Sequence, residues 1–178
     1  MTSAADPAIV PDDKDWTWVL REPCAECGFV ATGVDPTSVG PGTAGQVAVW
    51  QAVVLRDGAA ERPRPDRWSD LEYACHVRDV FGVFAGRLEQ MLAEDPAHFA
   101  NWDQDAAAVE GDYAHATPAV VADELAREGE RLAAVLARVD ATDWQRRGVR
   151  SNGSEFTTAT LVQYLLHDLE HHRFDVGA

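Results

Sequence analysis

Hydrophobic residues recur at intervals of three and four in four segments of the chain, and polar residues, Gly or Pro bound each segment. That spacing places the apolar side chains on one face of an α-helix. The second segment is the clearest, because it opens with a capping box at Ser69-Asp70-Leu71-Glu72 and ends before Asp95-Pro96. The pattern predicts helices over about residues 43–55, 70–93, 118–139 and 157–176.

Connection lengths between these helices predict how they are arranged. No segment shows a convincing strand pattern, so the predicted fold is an all-α four-helix bundle. A short link joins the first two helices, whereas residues 95–116 are long enough to cross the bundle, which predicts an up-down-down-up order. Residues 1–42 are rich in Pro, Gly and Asp and form a predicted irregular N-terminal arm, followed by the bundle over 43–178.

The charge of the chain limits the partners it can have. Its 178 residues carry a formal net charge of −15, which repels nucleic-acid phosphates and anionic lipid. No apolar run approaches the roughly 20 residues of a membrane helix, and the start lacks the features of a secretory signal. We therefore expect a cytoplasmic protein that binds neither nucleic acid nor membrane.

The last predicted helix carries the candidate chemistry. His167 and His171 are four residues apart, so one helical turn stacks both imidazoles on the same face, where they can bind one metal ion. His76 lies beside the apolar face of the second helix, and the predicted helix order brings it to the same end of the bundle. A buried histidine is more often a packed, hydrogen-bonded residue than a ligand, so both interpretations stay open. His172 points about 100° away from His171 and is expected at the surface.

The predicted arm contains a Cys-x-x-Cys pair, Cys24 and Cys27. Such a pair is half of a structural zinc site, a redox pair, or two packed thiols that do not react. Because the chain has no second pair of this kind, packed thiols are the favoured interpretation, and structural zinc and redox chemistry stay as alternatives.

Three motifs together resemble those of the DinB-like superfamily, which includes mycothiol- and bacillithiol-dependent S-transferases and an actinobacterial subgroup. They are Trp68-Ser69 leading into His76-Val77-Arg78-Asp79, then Asn101-Trp102-Asp103, and finally His167-Asp168-x-x-His171-His172-x-x-Asp175-Val176. The resemblance covers most of the chain from about residue 43 onward.

This resemblance implies an up-down-down-up four-helix bundle with a divalent metal held by three side chains. Two of them lie four apart on the last helix and one lies on the second, which by position are His167, His171 and His76. Three nitrogens leave a coordination position open, as in catalytic zinc sites, so zinc is the first expectation, although nickel, iron or cobalt also accept imidazole.

Further residues are expected around the metal. Asp168 and Asp175 are candidates to accept a hydrogen bond from a ligating imidazole, and Asp168 is otherwise a solvated helix residue. Tyr113 and His115 end the long connection and are expected either in the pocket or as ordinary loop residues.

The resemblance implies a metal-dependent enzyme that activates a mycothiol-like thiol as a metal thiolate for transfer to an electrophilic small molecule. A metal-dependent hydrolase and a non-catalytic metal- or ligand-binding detoxification protein are the alternatives. The expected partner is a small-molecule substrate, and either a monomer or a homodimer is compatible with the family.

Overall fold

Five α-helices and a small sheet form the described part of the chain in the computed structural model, which covers residues 9, 11 and 14–178. The helices are α1 (Val39–Val54), α2 (Asp70–Ala93), α3 (Gln104–Glu110), α4 (Pro118–Leu136) and α5 (Thr158–Asp175). The strands are β1 (Ala97–Phe99), β2 (Arg147–Arg150) and β3 (Glu155–Thr157). No helix among these residues has the length and apolar character to cross a bilayer.

The four long helices agree with the predicted ones, and local capping explains where they begin. In α2, Ser69 accepts a hydrogen bond from the Glu72 amide, while the Glu72 carboxylate accepts one from the Ser69 amide, which confirms the capping box. Glu72 also forms a bidentate pair with Arg62, with Nη2 and Oε1 2.6 Å apart. The N-terminal part of α2, where His76 is located, is therefore fixed by the capping box and by the pairing of Glu72 with Arg62.

Helix α1 begins earlier than predicted. Asp35 accepts from the amide of Thr37 and so caps a 3₁₀ turn, Pro36–Ser38, which continues directly into α1 at Val39. Pro41 does not interrupt this helix because the first-turn amides have no partner within the helix. The predicted irregular arm of residues 1–42 thus overlaps the first turn of α1.

The prediction that the chain contains no strand is wrong. Strand β1 pairs in parallel with β2, and β2 pairs in antiparallel with β3, in the order β1-β2-β3. Strands of three or four residues are too short for alternation to show in a sequence. Strand β1 lies in the predicted connection between the second and third long helices, which also contains α3, and β2 and β3 lie in the connection between the third and fourth.

The core lies between α2 and the other long helices. The apolar face predicted for α2 is buried, with Phe81 and Leu88 fully inaccessible and Phe84 nearly so. Helix α4 packs against both α1 and α2, and α5 packs on α2. The up-down-down-up order stays a prediction.

A close approach between α1 and α4 leads to a stability prediction. A Cβ added at Gly129 of α4 would lie 2.3 Å from Cγ2 of Val47, so alanine there forces the helices apart or moves Val47. We expect Gly129→Ala to lower the free energy of unfolding by about 1–2 kcal/mol, measured by urea denaturation. Gly86→Ala in α2 is the matched control, since no atom lies within 4 Å of the added Cβ. The control should stabilise by up to about 1 kcal/mol, and equal effects at both sites would contradict the assigned packing.

Candidate metal centre

Helix α5 carries two overlapping pairs of potential ligands. His167 and His171 form one pair four residues apart, and Asp168 and His172 form a second pair displaced by one residue. A displacement of one residue turns a side chain by about 100° around a helix, so the pairs occupy adjacent faces. Each pair meets a different part of the chain.

The second pair meets His76 of α2 and forms what we call the histidine–aspartate cluster: His76, Asp168 and His172. One donor atom from each residue lies within 4.8 Å of the others. Nε2 of His76 is 3.2 Å from Oδ1 of Asp168, and Nε2 of His172 is 3.7 Å from the same oxygen. Ligand atoms around a tetrahedral zinc are separated by roughly 3.4 Å, so this spacing fits a metal.

Aromatic rings enclose His76, which is fully buried. The ring centroid of Trp102 lies 5.4 Å away in a stacked arrangement, and that of Trp68 lies 5.5 Å away. Burial lowers the pKa of His76 below its ordinary value, so the imidazole is neutral, and its Nδ1 is buried without a hydrogen-bond partner. A neutral imidazole is the form that binds a metal.

Two carboxylates contact the histidines of this cluster: Asp168, which belongs to it, and Asp175, which lies beside it. Burial opposes the ionisation of Asp168, but the neighbouring imidazoles, above all His76, hold its pKa below the ordinary value. Asp175, predicted to orient an imidazole, has Oδ2 2.9 Å from Nδ1 of His172 and Oδ1 3.3 Å from Nη2 of Arg67. When Nδ1 of His172 donates to Asp175, Nε2 of the same ring carries no proton and can bind a metal ion beside Asp168.

The first pair meets the N-terminal arm and forms the cysteine–histidine cluster: Cys24, Cys27, His167 and His171. One donor atom from each of these residues lies within 4.8 Å of the others. Sγ of Cys24 is 3.6 Å from Nδ1 of His171. Burial lowers the pKa of His167 to about 4, and burial raises the pKa of the Cys27 thiol to about 11. The three cysteines of the chain are free thiols.

The structure therefore divides the three predicted ligands between the two clusters. His167 and His171 lie together as expected, but with two cysteines, and His76 lies with Asp168 and His172. The prediction that His172 lies at the surface is wrong, because its side chain is 16% exposed and its ring centroid is 4.7 Å from that of His76. The sequence contained the missed signals: Asp168 and His172 also have helical spacing, and Cys-x-x-Cys with His-x-x-x-His is a zinc-binding spacing.

A cavity of about 350 Å³ lies between the arm and the bundle and adjoins both clusters. Its lining includes the ligand candidates on α5, together with Lys14, Trp16 and Glu26 from the arm and Arg64, Arg67 and Trp68 from the segment before α2. This volume is within the range of small-molecule sites.

Tyr113 and His115 do not line that cavity. Tyr113 is buried and its hydroxyl donates to Asp79, whereas His115 is exposed and pairs with Asp112. Cys75 is fully buried, and burial raises its pKa to about 12, as expected of a packed thiol.

Comparison with known proteins identifies a family and a shared fold. The family model of the DinB superfamily matches residues 55–174. YfiT from Bacillus subtilis, described as a probable metal-dependent hydrolase with an unusual four-helix bundle topology, has a TM-score of 0.65 at 18% identity, over 78% of this chain and 81% of that one. A mycothiol-dependent maleylpyruvate isomerase has a TM-score of 0.66 at 10% identity, over 83% of this chain and 63% of that one. No curated protein matches the chain, and at these identities the two structures show a shared fold.

Proposed function

Because the chain belongs to the DinB superfamily, we propose that it is a divalent-metal-dependent enzyme that transfers a low-molecular-weight thiol, of the mycothiol kind, to an electrophilic small molecule. The observation that carries the proposal is the convergence of His76, Asp168 and His172 beside a ligand-sized cavity. One structural neighbour is described as a probable metal-dependent hydrolase and another as a mycothiol-dependent isomerase, and these descriptions support the use of a metal and of a mycothiol-like thiol. The proposal includes the up-down-down-up helix order expected from the connection lengths.

The donor set fits a metal of the zinc type. Two imidazole nitrogens and one carboxylate oxygen make three ligands, which leaves a coordination position open for a substrate, as in catalytic zinc sites. Nε2 of His76 and Nε2 of His172 both lie near Oδ1 of Asp168, and the Asp168 carboxylate supplies one negative charge to a divalent ion. When bound, such a metal lowers the pKa of a coordinated thiol so that the thiol binds deprotonated at neutral pH.

The surrounding residues orient the ligands and the substrate. Asp175 holds the proton on Nδ1 of His172, and Arg67 helps to keep Asp175 ionised. Trp68 and Trp102 exclude water from His76. Arg64 and Arg67 line the cavity and provide cationic contacts for a polar thiol or an anionic electrophile.

A metal-dependent hydrolase is the second candidate, and carboxylates in the cavity favour it. Glu26, Asp66 and Asp105 line the same cavity as Asp168 and His172. A carboxylate near a metal can accept a proton from an attacking water. The two activities differ in whether a thiol or water is consumed.

A conjugation assay tests the proposal. We expect zinc-loaded protein with mycothiol and a bimane electrophile to form the S-conjugate faster than the uncatalysed reaction, measured by fluorescence after chromatography. His172→Ala should reduce this rate to the uncatalysed level, because it removes one ligand. His115→Ala is the matched control and should keep the full rate, because that exposed histidine lies outside the cavity.

The opposite result separates the alternatives. If fully metal-loaded protein gives no conjugate with mycothiol, bacillithiol or glutathione, the thiol-transfer proposal is rejected. Hydrolysis of ester or amide substrates that depends on His172 would then support the hydrolase, and tight metal binding without turnover would support a binding protein.

A further inference from the structure

We propose that Cys24, Cys27, His167 and His171 bind a second, structural zinc ion, which fastens the N-terminal arm to α5. This site shares no ligand with the histidine–aspartate cluster and does not depend on the function proposed above.

Convergence of four donor atoms is the first support. The two thiols come from a loop early in the chain and the two imidazoles from its last helix, yet their donor atoms lie within 4.8 Å of one another. The 3.6 Å between Sγ of Cys24 and Nδ1 of His171 is close to the roughly 3.5 Å that separates sulfur and nitrogen ligands on a tetrahedral zinc. The Cys-x-x-Cys and His-x-x-x-His spacings are those of Cys₂His₂ zinc sites.

The backbone around the cysteines folds into a tight turn that directs both thiols to one side. The amide of Gly28 donates to the carbonyl of Cys24 at 2.9 Å, and the amide of Cys24 donates to the carbonyl of Phe29 at 2.8 Å. Gly28 has φ of +76°, in the left-handed region where glycine is favoured.

Both histidines are held as a zinc site requires. Nδ1 of His171 faces Cys24, while its Nε2 lies 3.6 Å from Oε2 of Glu26 and 3.9 Å from Oδ2 of Asp175. Carboxylates at this position commonly orient a zinc-binding imidazole. His167 is only 3% exposed, and its Nε2 is buried without a hydrogen-bond partner. An orphaned nitrogen of this kind is costly unless something binds it.

The ligand chemistry distinguishes this site from the histidine–aspartate cluster. Two thiolates and two neutral imidazoles neutralise Zn²⁺ and complete its four ligands, so no position is left for a substrate. Closed Cys₂His₂ sets of this kind are structural, whereas the three-ligand cluster with a carboxylate is open. The rings of Trp16 and Phe29 pack on the histidines at centroid distances of 4.9–5.6 Å and shield the site from water.

A zinc ion here would position one wall of the cavity. Lys14, Trp16 and Glu26 belong to the arm and line the cavity next to the ligands of the other cluster. Trp16 packs on the rings of His167 and His171, and Glu26 pairs with His171, so these contacts join the arm to α5 at the cysteine–histidine cluster. The ion would thus keep the arm closed over the substrate site.

Metal stoichiometry and cobalt spectroscopy test this site. We expect the full chain, purified anaerobically and saturated with zinc, to hold two equivalents by elemental analysis after gel filtration. The Cys24→Ser, Cys27→Ser double variant and the His76→Ala variant should each hold one. The cobalt-substituted wild-type protein should show the near-ultraviolet charge-transfer band of thiolate ligands. That band should be lost in the double variant and kept in His76→Ala.

Cys75→Ala is the matched control, because Cys75 is the third thiol and lies outside both clusters; it should leave the band and the stoichiometry unchanged. A cobalt-loaded wild-type protein without the thiolate band would overturn the proposal, and this measurement does not depend on how any variant folds. Reaction of Cys24 and Cys27 with Ellman's reagent at the same rate with and without zinc would overturn it as well. Neither result would affect the conjugation assay, so the two proposals fail separately.

Discussion

Replacing Asp168 by asparagine is expected to weaken metal binding at the histidine–aspartate cluster by more than about 100-fold. Loss of an outer-shell partner costs about 10–100-fold, and Asp168 is proposed as a ligand that supplies the cluster's negative charge. Its Oδ1 lies within 3.7 Å of a ring nitrogen of both His76 and His172, so this oxygen is placed to share a metal ion with both rings. The apparent dissociation constant is measured by zinc titration of metal-free protein against a chromophoric chelator.

Two further variants provide reference values for this loss of zinc affinity. Asp175→Asn should weaken binding by about 10–100-fold, because Asp175 orients His172 without facing the cluster directly. Asp123→Asn, an exposed acid on α4, should leave the affinity unchanged. If the Asp168 and Asp123 variants bind zinc equally well, Asp168 is not a ligand and the proposed centre is incorrect.

Phe81→Ala is expected to give the largest loss of stability among the single changes considered. The Phe81 side chain is fully buried in the apolar face of α2, so its truncation removes apolar contacts and leaves a cavity. Such substitutions cost about 3–5 kcal/mol. At roughly 2–4 °C for each kcal/mol in a protein of this size, the melting temperature should fall by about 6–20 °C. Calorimetry and urea denaturation measure the two quantities.

Phe174→Ala is the matched control for this change. The same residue type is 60% exposed near the end of α5, so its truncation should cost at most about 1 kcal/mol. Similar losses at both positions would contradict the assignment of the core.

Helix positions were predictable because their signals are local. The capping box at Ser69 and the apolar repeat that follows it set the bounds of α2, and the structure reproduces both ends at Asp70 and Ala93. The start of α1 was missed because a 3₁₀ turn capped by Asp35 precedes it. The short strands were missed because segments of three or four residues are too short to show a periodicity.

The clusters were only partly predictable, since ligand grouping depends on how α5 is rotated against its neighbours. The histidine spacing identified His167 and His171 as a pair, and the predicted helix order, together with the resemblance, pointed to His76. A rotation of α5 by about 100° around its own axis would change which pair of side chains faces α2. The apolar pattern of α5 does not predict this rotation, because histidines lie on both of the adjacent faces. The arm carrying Cys24 lies far away in sequence, so its approach to α5 follows from tertiary packing alone.

The position of Asp175 has a thermodynamic consequence. Its Oδ2 is 2.9 Å from Nδ1 of His172 and 3.9 Å from Nε2 of His171, so one carboxylate serves imidazoles from both clusters. With both ions bound, that one carboxylate group cannot take its best hydrogen-bonding position toward His172 and His171 at the same time. Each ion should therefore bind more weakly once the other is present. Because such linkage is reciprocal, the two sites would not bind independently. Metal binding at the two sites would be negatively cooperative.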